Sequence, residues 1–366
     1  MGKGKRKQNK KNIIIGVIFL IIIAGILGYI YLIYSQKEPP KKKKPKNTVE
    51  EKELTIVDED SNARPIAVMI DNNIGNGRHA GLQDSYINYE IIVEGGLTRI
   101  MAVFKDKDVD LIGPVRSSRH YFLDYALESD AIYAHYGWST YAQNDIKALG
   151  VNNINGLYDE APYWRDNTIA APHNVFTSTD DLYSYATQKN YDTTTDNWQL
   201  LNYTTDTVNL NDPVSTVIQT NPETGEEEEV PVTREGLLTA NSVIIPYSYY
   251  ETRSYTYDAE RKVYLRYMND EPHMDKVTGE QLHYKNIIIE QVTNYQLDND
   301  GRQDLNTVGN GQGYYITNGY AVPIYWTKSG RSAKTIYTYS DGSEVEINDG
   351  NTFIQIMPTT YTPTIS

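Results

Sequence analysis

The chain has 366 residues, no cysteine, and 34 basic against 48 acidic side chains, a formal net charge of −14. Without cysteine there are no disulfides, thiolate zinc sites or thiol nucleophiles. The charge is unevenly placed: residues 1–52 carry 13 Lys/Arg and 3 Asp/Glu, so the remainder holds 21 basic and 45 acidic groups. An acidic body argues against nucleic acid as a partner, because phosphate backbones need cationic surface on the folded part.

The first segment is a basic tail, residues 1–12. Residues 13–34 follow as 22 consecutive positions without a charge. A helix of that length reaches roughly 33 Å, enough for a hydrocarbon core. A cleaved signal peptide is the alternative, but the apolar stretch is long and no small-x-small site follows it. A lipoprotein signal is excluded for want of a cysteine to acylate. The expectation is therefore an uncleaved single-pass transmembrane helix. Six Lys/Arg precede it (Lys3 to Lys11) and six Lys follow it (Lys37 to Lys46), so charge alone leaves orientation tied. A long C-terminal part translocates largely regardless of its charge, which favours a cytoplasmic N-terminus and a large outer part. Residues 35–62, with PPKKKKPK at 39–46, read as an extended extracellular linker.

Beyond the linker the pattern becomes strands, turns and helices. IAVMID (66–71) reads as a buried strand ending at Asp71. YINYEIIVEGG (86–96) and LTRIMAVF (97–104) read as further strands. Residues 109–137 read as a strand to Ile112, a Gly113-Pro114 break, a helix through HYFLDYALES and a strand AIYAHY. DIKALG (145–150) is a short helix closed by Gly150. Residues 63–200 thus form an N-terminal α/β-type domain. Residues 201–237, with four successive glutamates, read as an acidic connection or exposed hairpin. Residues 238–360 alternate strand-like runs with turn signals such as Asp341-Gly342, which predicts a mainly antiparallel β domain. The expected fold class is membrane-anchored α+β. GNGQGYY (309–315) reads as a tight turn, and DNDGRQD (298–304) as a hairpin turn lacking calcium-loop spacing. The 32 tyrosines against 5 phenylalanines suit half-buried strands and equally suit sugar stacking.

The strings PIAVMIDN, GLQDSYINYEIIVEGGLTRIMAVF, IGPVRSSRHYFLDYA, YWRDNTIAAPHNVFTS and TFIQIMP resemble the YerB-type family of bacterial envelope lipoproteins. The resemblance spans about 64–190 and 240–358. It implies an outer-envelope location and two domains of unassigned function. It implies no reaction, and the lipidated cysteine of such proteins has no counterpart here.

Candidate ligand-binding residues are Asp71, Glu94, Arg99, Arg116, Arg119, His120, Trp164, Arg165 and His173. Each sits beside a predicted strand end or a Gly/Pro turn, where a rigid scaffold presents functional groups. Arg116 and Arg119 are three apart at an expected helix start, so they would share a face, with Ser117 and Ser118 as caps. Their guanidinium forks suit phosphate or carboxylate; alternatively they pair internally with Asp71, Glu90 or Glu94. Glu94 and Arg99 bracket Gly95-Gly96 and are expected as a buried ion pair. Trp164, Arg165 and His173 could line a sugar site or only fix a loop.

No HExxH, GxSxG or P-loop is present, and no cofactor is evident. One function reading is a non-catalytic membrane-anchored envelope protein that binds a wall polymer, an anionic envelope ligand or a partner protein. Another is a phosphotransferase or pyrophosphatase acting on a polyprenyl-pyrophosphate-linked envelope precursor. Its arginines would hold phosphoryl oxygens, and Asp71 a magnesium ion, the sole metal considered. A hydrolase built on Glu90 and Glu94 is a weaker third.

Overall fold

The structure, a computed structural model, describes residues 52–366 apart from Gln199 and Thr224. The expected membrane helix, the basic tail and most of the linker lie outside the described residues. Among those described, no helix is long and apolar enough to cross a membrane.

The chain is mostly β. Four strands lie at the middle of its large sheet: β1 (Ile66–Asp71), β2 (Ile87–Ile92), β3 (Thr98–Phe104) and, near the C-terminus, Thr352–Pro358. The first, second and last of these are buried at every position. Strands covered on both faces read as continuous apolar runs, which is why IAVMID and TFIQIMP are visible in the sequence. Next to β1 come β4 (Ile132–His135) and β5 (Asn153–Asn155), both parallel to it. In the second half, β6 (Ser242–Pro246), β7 (Thr252–Asp258) and β8 (Val263–Met268) form the antiparallel centre of a six-stranded sheet. The strands β9 (Asn286–Val292), β10 (Gly309–Thr317), β11 (Tyr320–Lys328) and β12 (Thr352–Pro358) return to the large sheet. That sheet runs Leu238–Thr239, β11, β10, β9, β12, β2, β3, β1, β4, β5, with Ile336–Thr338 paired to β11.

The two sequence segments meet where β2 pairs in parallel with β12, Glu90 opposite Gln355. Side chains alternate across this seam. Tyr89 stacks on Tyr125 of helix α1 (Phe122–Glu128) on one face. On the other face Phe353 and Gln355 meet Tyr255 and Tyr247 of the smaller sheet and its turn. The sheet is thus sandwiched between a helix and a second sheet. Helix α2 (Thr140–Leu149) ends at Gly150 with φ 65°, the close its sequence predicts, but it begins five residues before the expected start at Asp145, because the Ser139 hydroxyl caps it by accepting from Ala142. Helix α3 (Thr179–Gln188) is capped in the same way by Ser178.

Three expectations change. Residues 109–112 are not a strand. Residues 115–118 are not a helix start but an extended segment: the Arg116 amide donates to Met69 and that of Ser118 to Gly137. Their N–H groups are spent on neighbouring chain, so no free helix terminus faces the arginines, and α1 begins only at Phe122. GNGQGYY is not a turn but the first part of β10. A Cβ at Gly313 would lie 1.8 Å from the Ile289 carbonyl and one at Gly311 2.5 Å from Trp326. Glycine is there for close backbone approach. The acidic connection does contain an exposed hairpin, Ser215–Thr220 with Glu227–Val232.

Glu290 on β9 is buried, with the hydroxyls of Tyr337 and Tyr125 donating to it, the latter at 3.1 Å. Burial raises its carboxyl from 4.5 to about 7. The unfolded chain gives up this proton at lower pH, so stability falls as pH climbs from about 4.5 to about 7 and then levels. Glu290→Gln should therefore gain on wild type by roughly 2–3 kcal/mol between pH 5 and pH 8 in urea unfolding. An equal gap at both pH values would contradict this.

Candidate functional site

The parallel strands β1, β4 and β5 end together at Asp71, His135 and Asn155. Loops at the carboxyl ends of such strands are where α/β sheets place ligands. Asp71 is the centre of the group. Its side chain is 3% exposed, and Oδ2 receives His173 Nδ1 at 2.6 Å and the Arg116 Nε at 3.1 Å. Oδ1 accepts from the Asn73 amide at 3.1 Å. A carboxylate only accepts, so Nδ1 of His173 carries a proton and Nε2 is left with a lone pair when the ring is neutral.

Next to this pair stands a second one. Arg119 grips Glu94 with both arms, Nε to Oε1 at 2.5 Å and one Nη to Oε2 at 2.8 Å. Burial would raise the Glu94 carboxyl, but the Arg119 contact holds it below its usual range. Glu94 therefore pairs with Arg119, one of the internal pairings open in the sequence, and the expected Glu94–Arg99 pair does not form. The reason is that Glu94 opens a single 3-10 turn, with Gly95 at φ 69° and Gly96 at φ 71°, and Arg119 lies within its reach. Arg99 instead donates to the Ser117 carbonyl at 2.7 Å, with no carboxylate in ion-pairing reach among the described residues. Burial, then repulsion from Arg119, lowers its guanidinium to about 10. The group thus holds three guanidiniums against two carboxylates.

The other candidates are more dispersed. Arg165 binds Asn174, the neighbour of His173, at 2.7 Å and lies over the Tyr136 ring. Trp164 is 39% exposed on a hairpin of Trp164–Arg165 with Val175–Phe176. His120 points away, to Asp304 at 2.9 Å. His135 is buried between the Gly137 carbonyl and Asn153, and burial lowers its ring to about 4. Among the described residues no three His, Cys, Asp or Glu side chains gather as a metal site.

Behind Asp71 lies a polar chain that sequence reading missed. Glu90, fully buried, accepts from Arg253 Nε at 2.6 Å and from an Arg266 Nη at 2.5 Å, and also from Thr98 and Asn72 at 2.7 Å. Burial alone would raise its carboxyl; the two arginines hold it down at about 2. Arg253 also meets Glu251 at 2.6 Å, so the buried charges balance. Arg266 Nε donates to His273 Nδ1 at 3.0 Å, His273 Nε2 faces His79 Nδ1 at 2.8 Å, and His79 Nε2 faces the Asp71 carbonyl at 2.7 Å. An arginine can only donate, so both rings must be neutral with the proton on Nε2. Burial lowers His79 to about 4 and His273 further below its ordinary value. The signal for these arginines was strand alternation, since Arg253 shares a face with Tyr255 and Arg266 with Tyr264.

This is a mostly β scaffold whose polar residues form a cation-rich cluster instead of a metal centre. Residues 53–192 match the family model described as the N-terminal domain of a protein of unknown function (DUF3048), and residues 243–354 match its C-terminal domain. The chain belongs to this family. It is 28% identical over 297 residues, 81% of each chain, to the putative lipoprotein YerB of Bacillus subtilis (strain 168). The crystal structure of the YerB protein from Bacillus subtilis superposes with a TM-score of 0.68 at 27% identity, covering 83% of this chain and 94% of that one.

Removing the charge of Glu90 leaves two buried guanidiniums under-compensated. Glu90→Gln should lose about 3–5 kcal/mol in urea unfolding at pH 7. A loss below about 1 kcal/mol would show that these ion pairs do not hold the sheets together.

Proposed function

We propose that the chain is a single-pass, membrane-anchored envelope protein whose outer part binds an anionic group, carried by a wall polymer, at the Asp71–Arg99–Arg116–Arg119 cluster. The uncharged segment 13–34 supplies the anchor, with the N-terminus in the cytoplasm and the body outside. The relative's name as a putative lipoprotein supports an envelope location. This chain has no cysteine to acylate, so the hydrophobic segment takes the place of a lipid.

The observation that carries the reading is the charge excess around Arg99. Asp71 and Glu94 neutralise Arg116 and Arg119, while Arg99, among the described residues, donates only to a backbone carbonyl. Phosphate or carboxylate oxygens would complete its donor fork.

A second reading is phosphoryl transfer or pyrophosphate cleavage on a polyprenyl-pyrophosphate-linked precursor. The Asp71–His173 contact favours it, because a carboxylate-oriented imidazole can take a proton from water. Magnesium at Asp71 would have to share a carboxylate already held by His173, Arg116 and Asn73.

One experiment separates these readings: titrating the full chain with inorganic pyrophosphate, with and without magnesium, while phosphate release is followed. Binding without release, weakened at least tenfold by Arg99→Ala at unchanged melting temperature, is the expected result. Release abolished by His173→Gln would establish the enzyme instead. No binding by wild type would defeat both.

A further inference from the structure

We infer that the cleft between α2 and β5 is a sugar-ring subsite, so that the anionic ligand is a glycan. The inference rests on the anion-binding reading and names its ligand class. The cleft has a volume of about 640 Å³ and is open to solvent, with Trp138, Ile146 and Val151 beside Gln143, Asn144, Lys147 and Asn153 on its walls. This volume suits one or two sugar rings.

Its composition is the first argument. Trp138 is partly exposed, and its ring lies 5.7 Å from that of Tyr158, which is 71% exposed. Trp138 is anchored against the core and the His135 ring, 5.6 Å away, and its partly exposed ring together with exposed Tyr158 offers aromatic faces that suit the C–H side of a pyranose. Gln143, Asn144 and Lys147 are exposed on α2. The two amides offer both donors and acceptors to hydroxyl and acetamido groups, and Lys147 adds a cation. A purely hydrophobic partner would leave these three groups unsatisfied.

Position is the second argument. Trp138 lies beside Ser118 in a parallel bridge. The Ser118 carbonyl accepts from Arg119 at 2.7 Å and from the Ser139 amide at 3.2 Å, so the arginine cluster and the cleft wall share one backbone oxygen. Arg99 donates to Ser117 and the next residue, Ser118, bridges to Trp138, so an acidic group at Arg99 and a ring at Trp138 would be held from successive residues of one segment. The 115–118 segment, extended instead of helical, brings the two together.

The test is calorimetric titration of the full chain with three probes: hyaluronan hexasaccharide, neutral chitohexaose and inorganic pyrophosphate. Wild type should bind hyaluronan at least tenfold more tightly than chitohexaose. Trp138→Ala and, separately, Gln143→Ala/Tyr158→Ala should each weaken both glycans at least tenfold and leave pyrophosphate binding within twofold. The double variant changes only exposed side chains, so it stands if Trp138→Ala fails to fold. Unchanged glycan binding in the double variant, or no glycan binding by wild type, would overturn the inference. Chitohexaose binding without pyrophosphate binding would support the cleft while removing the reading of the arginine cluster.

Discussion

The buried carboxylate of Glu90 ties the two sheets together through Arg253 and Arg266. It sits on β2 at the seam where the two sequence segments share a sheet, and its partners Arg253 and Arg266 come from the smaller sheet. Two guanidiniums in a dry interface are tolerable only with matching carboxylates and full use of their donors. Glu90 and Glu251 supply the charge, while Thr98, Tyr255 and His273 take remaining donors. Such an arrangement has one geometry. A slip of β2 by one residue would turn Glu90 to the α1 face and leave both arginines uncompensated.

The same constraint reaches the candidate site. Because Arg266 donates to His273, the direction of every hydrogen bond from there to the Asp71 carbonyl is fixed. The backbone of Asp71 is held from the smaller sheet, and its carboxylate is held from the other side by His173 and Arg116. Residues about 190 positions apart in sequence, His79 and His273, thereby set the end of one strand. A rigid carboxylate gives the neighbouring guanidiniums a defined spacing, which is what recognition of an anionic group requires.

The legible part of the molecule was the part governed by local periodicity. The all-apolar strands around β1 and β12, the helix closed by Gly150 and the exposed acidic hairpin follow from residue pattern and capping chemistry. Asp71, Arg116 and His173 could be singled out from strand ends and Gly/Pro turns, and internal pairing of Arg116 with Asp71 was one of the alternatives; the contact of Asp71 with His173 was not legible, since it joins segments 102 residues apart. Glu94 had two possible partners in the sequence, Arg99 by proximity and Arg119 by internal pairing, and the turn at Gly95-Gly96 presents it to Arg119. The GPVRSSR run looked like a helix start because serine and arginine suit one. Pairing with β1 and with Gly137 outweighed that preference. The glycines of β10 were hidden because turn and close-approach glycines look alike without their neighbours.

A neutral histidine pair transmits the Glu90–Arg266 ion pair to Asp71. Imidazole nitrogen shifts of ¹⁵N-histidine-labelled full chain, followed from pH 8 to pH 5.5, test it directly. His79 and His273 are both expected to stay neutral, protonated on Nε2, across the whole range. Titration of either ring near 6.5, or a proton on Nδ1 of His273, would contradict it.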